Sequence, residues 1–182
     1  MIRIPGRFIY LATPATASRT VSEVLIKQCG GEVLAATHHA HLSDMPLLDN
    51  YSEPVYTLIR DPYDYVLSRY FYKYRHAVNR SDQVLEAFIP KYSLESHSSP
   101  AGTIMQMYRG FVDRYFLFED GIAAFFAAVG FPDVDIPTIG ASSAKAQGPR
   151  LKIEDVSLKV KELINQHFAD EVGLYQMVSG ES

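Results

Sequence analysis

The chain has 182 residues, 47% of them hydrophobic, enough for one globular domain with a real core. Its net charge of -4 and pI near 5.8 argue against a generic nucleic-acid binder. A single cysteine, Cys29, excludes an internal disulfide framework and a cysteine-based zinc site, and no apolar run reaches the roughly 20 residues needed to span a bilayer.

Residues 7–13, RFIYLAT, are apolar nearly throughout and predict a strand buried on both faces. A small, hydroxyl-rich turn comes next, Pro14-Ala15-Thr16-Ala17-Ser18-Arg19-Thr20, leading into a helix. Val21, Val24, Leu25, Gln28 and Cys29 trace the inward face of that helix, Glu23 and Lys27 form an i,i+4 pair, and Gly30-Gly31 ends it. A strand, a tight turn and a helix N-terminus make a phosphate cradle through orphan N–H groups and the helix dipole. The turn lacks GxxxxGK[ST] and contains no glycine, so a plain βα turn with a Ser or Thr cap stands beside the cradle reading.

Val33 to Ala36 predicts a short second strand, followed by Thr37-His38-His39-Ala40-His41. No Cys, Asp or Glu nearby completes a zinc set. A general base suits these histidines better, since imidazole titrates near neutrality, with a solvated polar loop as the alternative.

Residues 54–60 predict the third strand, which breaks at Arg60-Asp61-Pro62 and continues as a helix toward Asn79. Asp61 suits the cap, Pro62 the first helical position, and Asp64 the first turn. Tyr63, Leu67, Tyr70 and Tyr74 recur at helical spacing, while Tyr65, Arg69, Tyr72, Lys73 and Arg75 fall on the more polar sides. Interleaved aromatics and cations suit sugars or single strands, but most such tyrosines pack against a neighbouring helix. An arginine at a strand's carboxyl end, with Ser68 about two turns up the helix, predicts an anion site.

Beyond this, a short helix and a polar loop over 92–100 are expected, then a helix over 103–112. Arg114 to Phe118 predicts a strand, and Glu119-Asp120 opens a helix over 122–129 that Gly130 ends. Residues 131–150 hold three prolines and Lys145 and predict a long irregular segment. Ile153, Val156, Val160, Leu163, Ile164 and His167 predict a C-terminal amphipathic helix, with Leu174-Tyr175 packed behind it. There is no internal repeat and no linker that splits the chain, so one domain over 1–182 is expected.

Two motifs in combination resemble the sulfotransferases that use 3′-phosphoadenosine 5′-phosphosulfate (PAPS). The Thr13–Thr20 turn resembles their 5′-phosphosulfate loop in its P-K-T-A-S form, and Arg60-Asp61-Pro62-(x)5-Ser68-x-Tyr70 resembles their 3′-phosphate motif. His39-Ala40-His41 is similar to the H-x-H of uronyl 2-O-sulfotransferases acting on heparan-type polysaccharides. Phe118-Glu119-Asp120 and Asp170-(x)3-Leu174-Tyr175 recur loosely in the same superfamily.

The resemblance implies an α/β fold, P-loop NTPase-like and three-layered α/β/α, around a central, mostly parallel sheet. It implies that PAPS is bound by Pro14, Ala15, Thr16, Ala17, Ser18, Arg19 and Thr20, with Arg60 and Ser68 on the 3′-phosphate. It further implies in-line sulfuryl transfer to a hydroxyl, of a glycan or small molecule, with His39 ahead of His41 as base and no obligatory metal. The family carries a lysine where this chain has Ala15; Arg19 or Lys145 is the candidate substitute cation. Ala15 also supports the alternative, a non-catalytic nucleotide- or glycan-binding protein of the same fold. A P-loop kinase is disfavoured because the Walker lysine and an Mg-binding set are missing. The N-terminus lacks a signal-peptide pattern, so a cytoplasmic protein without membrane or nucleic-acid partners is expected.

Overall fold

The computed structural model describes residues 1–35, 42–74, 81–97, 110–137 and 152–180. These fall into two compact units, Met1–Arg60 with Pro100–Ile139, and Asp61–Ser99 with Gly140–Ser182.

The first unit is built on a five-stranded mixed sheet of order β3-β1-β2-β4-β5. Its strands are β1 (Ile2–Ile4), β2 (Phe8–Leu11), β3 (Glu32–Val33), β4 (Val55–Ile59) and β5 (Arg114–Leu117). β2, β4 and β5 run parallel, whereas β1 is antiparallel to both β2 and β3. The sheet is therefore mixed, with β1 alone running against the other four strands, as an α/β fold allows. β1 is too short to register as a pattern; Pro5-Gly6 folds it back as a hairpin, with Gly6 at φ 68° and the Arg7 N–H donating to the Ile4 carbonyl at 3.0 Å. β3 begins one residue earlier than expected, stops at Val33 and is an exposed edge.

As expected, β2 is buried along its whole length. Phe8 and Tyr10 face one side, with Val21, Val24 and Leu25 of helix α1 (Ser18–Gln28) and Phe125 and Phe126 of helix α4 (Ile122–Ala128). Ile9 and Leu11 face the other side, with Met45 and Leu48 of a 3₁₀ segment over Leu42–Asn50. Strand alternation thus gives one short strand two cores. On α1 the Glu23–Lys27 pair forms at 2.5 Å, and Cys29, half-buried, packs against this core as expected, whereas Gln28 is exposed. At the end of α4, Gly130 takes φ 85°, and a Cβ there would lie 2.3 Å from Arg7 Nη2. That guanidinium donates to the Val129 carbonyl at 3.0 Å and covers the Phe131 ring at 4.2 Å. Glu119 and Asp120 form a 3₁₀ turn rather than the first turn of α4, which starts after Gly121.

The second unit is helical: α2 (Pro62–Lys73), α3 (Asp82–His97), α5 (Leu158–His167) and α6 (Ala169–Ser179). The expected cap holds, with the Asp64 N–H donating to Asp61 Oδ1 at 3.0 Å and Pro62 opening the helix. Helix α3 runs through Pro90 and on into the segment expected to be a loop, as far as His97. The reason is tertiary. Leu85, Phe88, Ile89 and Ser93 are buried, Tyr92 stacks on Phe88 at 5.0 Å and on Phe168 at 6.1 Å, and the Ser93 hydroxyl donates to the His167 carbonyl at 3.0 Å. That packing outweighs local composition. Tyr65 is buried rather than polar-facing, its hydroxyl 2.8 Å from that of Tyr92. Burial, more than any neighbour, raises the Tyr65 phenol well above its ordinary value. Tyr70 and Tyr74 meet the Phe88 ring edge-on at 5.5 and 5.9 Å, so Tyr65 and Tyr70 are core, whereas Tyr63 is half-buried and Tyr72 exposed. The expected C-terminal helix begins only at Leu158, after a 3₁₀ turn over Ile153–Asp155, and the Leu174-Tyr175 segment behind it forms a further helix, α6, that begins after Phe168. The helix expected over 103–112 has residues 103–109 outside the described ones, and Gly110-Phe111 form a turn. No helix among the described residues is long and apolar enough to cross a membrane.

Candidate functional site

Three parallel strands bring their carboxyl ends to one edge of the first unit. Leu11 pairs with Thr57, and Ile59 with Leu117, so β2, β4 and β5 finish side by side. The segments leaving these strands are therefore adjacent: the Thr13–Ser18 turn, Arg60 and Phe118. Ligands of open α/β sheets gather at this edge.

The turn is held from below. The Thr13 hydroxyl, fully buried, donates to the Leu58 carbonyl at 2.5 Å. The Thr16 hydroxyl, 1% exposed, lies 2.9 Å from the Thr13 carbonyl and 2.8 Å from the Thr13 hydroxyl. With the Thr13 proton spent on Leu58, the single Thr16 proton is shared between the Thr13 carbonyl and the Thr13 hydroxyl, so both side chains are structural. On the neighbouring strand the Thr57 hydroxyl donates to the Leu11 carbonyl at 2.8 Å. Tyr10 underlies this network; its burial pushes the phenol up, and Thr16 draws it part of the way back. Thr13, Thr16 and Ser18 are buried, so the hydroxyl-bearing residues of the turn face inward, while Pro14, Ala15 and Ala17 are half-buried.

The backbone of the turn is unusual. Ala15 at φ 63° and Ala17 at φ 51° are the non-glycine residues with positive φ among those described. The left-handed conformation costs an ordinary residue about 1–2 kcal/mol, and such strain gathers at ligand sites. Left-handed residues alternating with right-handed ones turn successive N–H groups into one concavity, a nest for anions. Ala17 is also the N-cap of α1, and it offers no side-chain acceptor to the helix start, so the Ser or Thr cap expected of a plain βα turn is not formed.

Arg60 closes the arrangement. Its Nη1 donates to the Ala15 carbonyl at 3.2 Å, and its guanidinium faces the Phe118 ring at 5.1 Å. Sequence reasoning did not find the contacts of Thr13, Leu58 and Phe118. Phe118 carried a signal only as part of Phe118-Glu119-Asp120, and the other two act through strand register, which no motif encodes.

Of the remaining predicted site residues, Pro14 is half-buried, Ser18 and Thr20 are buried, and Arg19 is exposed. Ser68 is half-buried on α2 in the second unit, whereas Arg60 belongs to the first. His39, His41 and Lys145 lie outside the described residues. Among the described residues no three His, Cys, Asp or Glu side chains converge as metal ligands. No family model, curated protein or solved structure matches this chain.

Proposed function

We propose that this chain binds PAPS and transfers its sulfuryl group to a hydroxyl, that of a carbohydrate first among the candidates. The observation that carries the reading is the strained turn after a buried parallel strand, with two left-handed alanines, pinned by the arginine that opens the Arg-Asp-Pro motif. Backbone donors of a nest and a helix start, beside a guanidinium, are a fitting donor set for phosphate oxygens.

In this reading the backbone from Pro14 to Thr20 holds the 5′-phosphosulfate, with Arg19 as a candidate cation, and Arg60 serves the 3′-phosphate. When bound, PAPS supplies a sulfuryl group activated by its bond to the 5′-phosphate, and transfer releases adenosine 3′,5′-bisphosphate. His39, or His41, takes the proton of the attacking hydroxyl. Preorganised donors in the turn hold the charge that gathers on the leaving oxygen. A second reading, nucleotide or glycan binding without transfer, is favoured by Ala15, which brings no cation of its own to the turn. Losing such a cation costs on the order of a hundredfold in rate.

Thermal stabilisation by adenosine 3′,5′-bisphosphate, and not by ATP with Mg²⁺, is the expected result; the reverse pattern refutes the proposal. Transfer of labelled sulfate to a panel of glycans then divides enzyme from binder. Ala15→Lys is expected to raise transfer, and an unchanged rate removes Ala15 as the deficit.

A further inference from the structure

The resemblance assigns Arg60 to the 3′-phosphate, but the geometry gives it a second role, and we infer that Arg60 is also a positioning residue of the 5′ turn. The inference rests on the nucleotide reading above and deepens it. All of its parts lie in the first unit. The arginine side chain leaves the end of β4 and reaches 45 residues back in sequence, where Nη1 donates to the Ala15 carbonyl at 3.2 Å. The Phe118 ring, at the end of β5, faces the same guanidinium at 5.1 Å and limits where it can turn.

Ala15 is one of the two strained residues of the turn, at φ 63°. In a trans peptide the carbonyl of one residue and the N–H of the next point in opposite directions. Fixing the Ala15 carbonyl therefore also fixes the direction in which the Thr16 N–H donates. The Thr13 and Thr16 hydroxyls secure the turn on its buried side, and Arg60 secures its half-buried side. A guanidinium stays charged at any physiological pH, so this contact also brings a permanent cation to the residue where the resembling family has its lysine. Arg60, rather than the exposed Arg19, is the described cation joined to that position.

Adenosine 5′-monophosphate carries only the 5′ phosphate, and adenosine 3′,5′-bisphosphate carries both. Calorimetric titration of the full chain with each ligand tests the inference. In Arg60→Ala, affinity for the monophosphate is expected to fall about tenfold or more, and affinity for the bisphosphate to fall further. Arg19→Ala should leave the left-handed signature of Ala15 in place. If Arg60→Ala weakens only the bisphosphate, Arg60 serves the 3′ side alone; the inference is overturned while the nucleotide reading survives. If the wild-type chain binds neither ligand, both fall together. A ligand-free readout runs in parallel. The ¹³Cα and ¹³Cβ shifts of Ala15 report its left-handed backbone, which is expected to be lost in Arg60→Ala, and retention there also overturns the inference. Arg60→Lys keeps charge and stem but not the fork, and it serves with the same expected directions if the alanine variant does not fold.

Discussion

Replacing Ala15 or Ala17 by glycine should stabilise this protein, although the same change elsewhere destabilises it. At φ 63° and 51° the two alanines sit in a left-handed region that costs about 1–2 kcal/mol for a residue with a Cβ. Glycine removes that cost and adds about 0.4–1 kcal/mol of chain entropy to the unfolded state. The balance is about 0.5–1 kcal/mol of stabilisation at each position, or a Tm rise of about 2–4 °C per kcal/mol. Ala124, exposed on α4, is the control, where glycine should cost about 0.5–1 kcal/mol. Urea unfolding of the three variants beside the wild type measures the difference. Affinity for adenosine 3′,5′-bisphosphate, followed in the same variants, should fall, because a glycine turn no longer holds its N–H groups in one arrangement. Stability would then rise as binding falls, the pattern of strain kept for function. If Ala15→Gly and Ala17→Gly destabilise as Ala124→Gly does, the turn is not strained and the nest argument fails.

Two further outcomes concern the scaffold. The Gly6 N–H first, and the Arg3 guanidinium second, hold the Glu53 carboxyl down to about 2 from an ordinary 4.5. Because the folded value is depressed, this contribution is complete above pH 4.5 and disappears as the pH falls toward 2. Glu53→Gln should flatten the stability profile across that window in acid titrations followed by circular dichroism, and an unchanged slope would refute the assignment. Phe88→Ala removes a ring that is 2% exposed, stacked on Tyr92 and met edge-on by Tyr70 and Tyr74. It should cost about 3–5 kcal/mol in denaturant unfolding. A loss below about 1 kcal/mol would mean that these aromatics are not the core of the helical unit.

Much of the scaffold was legible because it rests on local physics. The apolar run of β2, the Asp61 cap with Pro62 behind it, the Glu23–Lys27 pair and the glycine stop after α4 come from rules spanning at most a few residues. The same rules mark the Arg60 motif and the hydroxyl-rich turn as sites for an anion. They fail where distant packing decides. The run of α3 through Pro90 depends on Phe168 and His167, more than 70 residues away. Tyr65 is buried because Tyr92 faces it. β1 exists because β2 and β3 offer it partners.

By itself, then, the sequence determined the strands β2, β4 and β5, the helices that follow β2 and β4, and which residue types wait at the ends of those two strands. Only the tertiary structure decided that these ends coincide, because the register of three parallel strands places Thr13, Arg60 and Phe118 at one edge. It also turned the chemistry inward. The hydroxyls of Thr13 and Thr16 are spent inside the protein, on the Leu58 carbonyl and on Thr13 itself, while two alanines hold the backbone of the turn in a left-handed conformation. A backbone dihedral leaves no trace in composition or spacing when the residue bearing it is alanine rather than glycine.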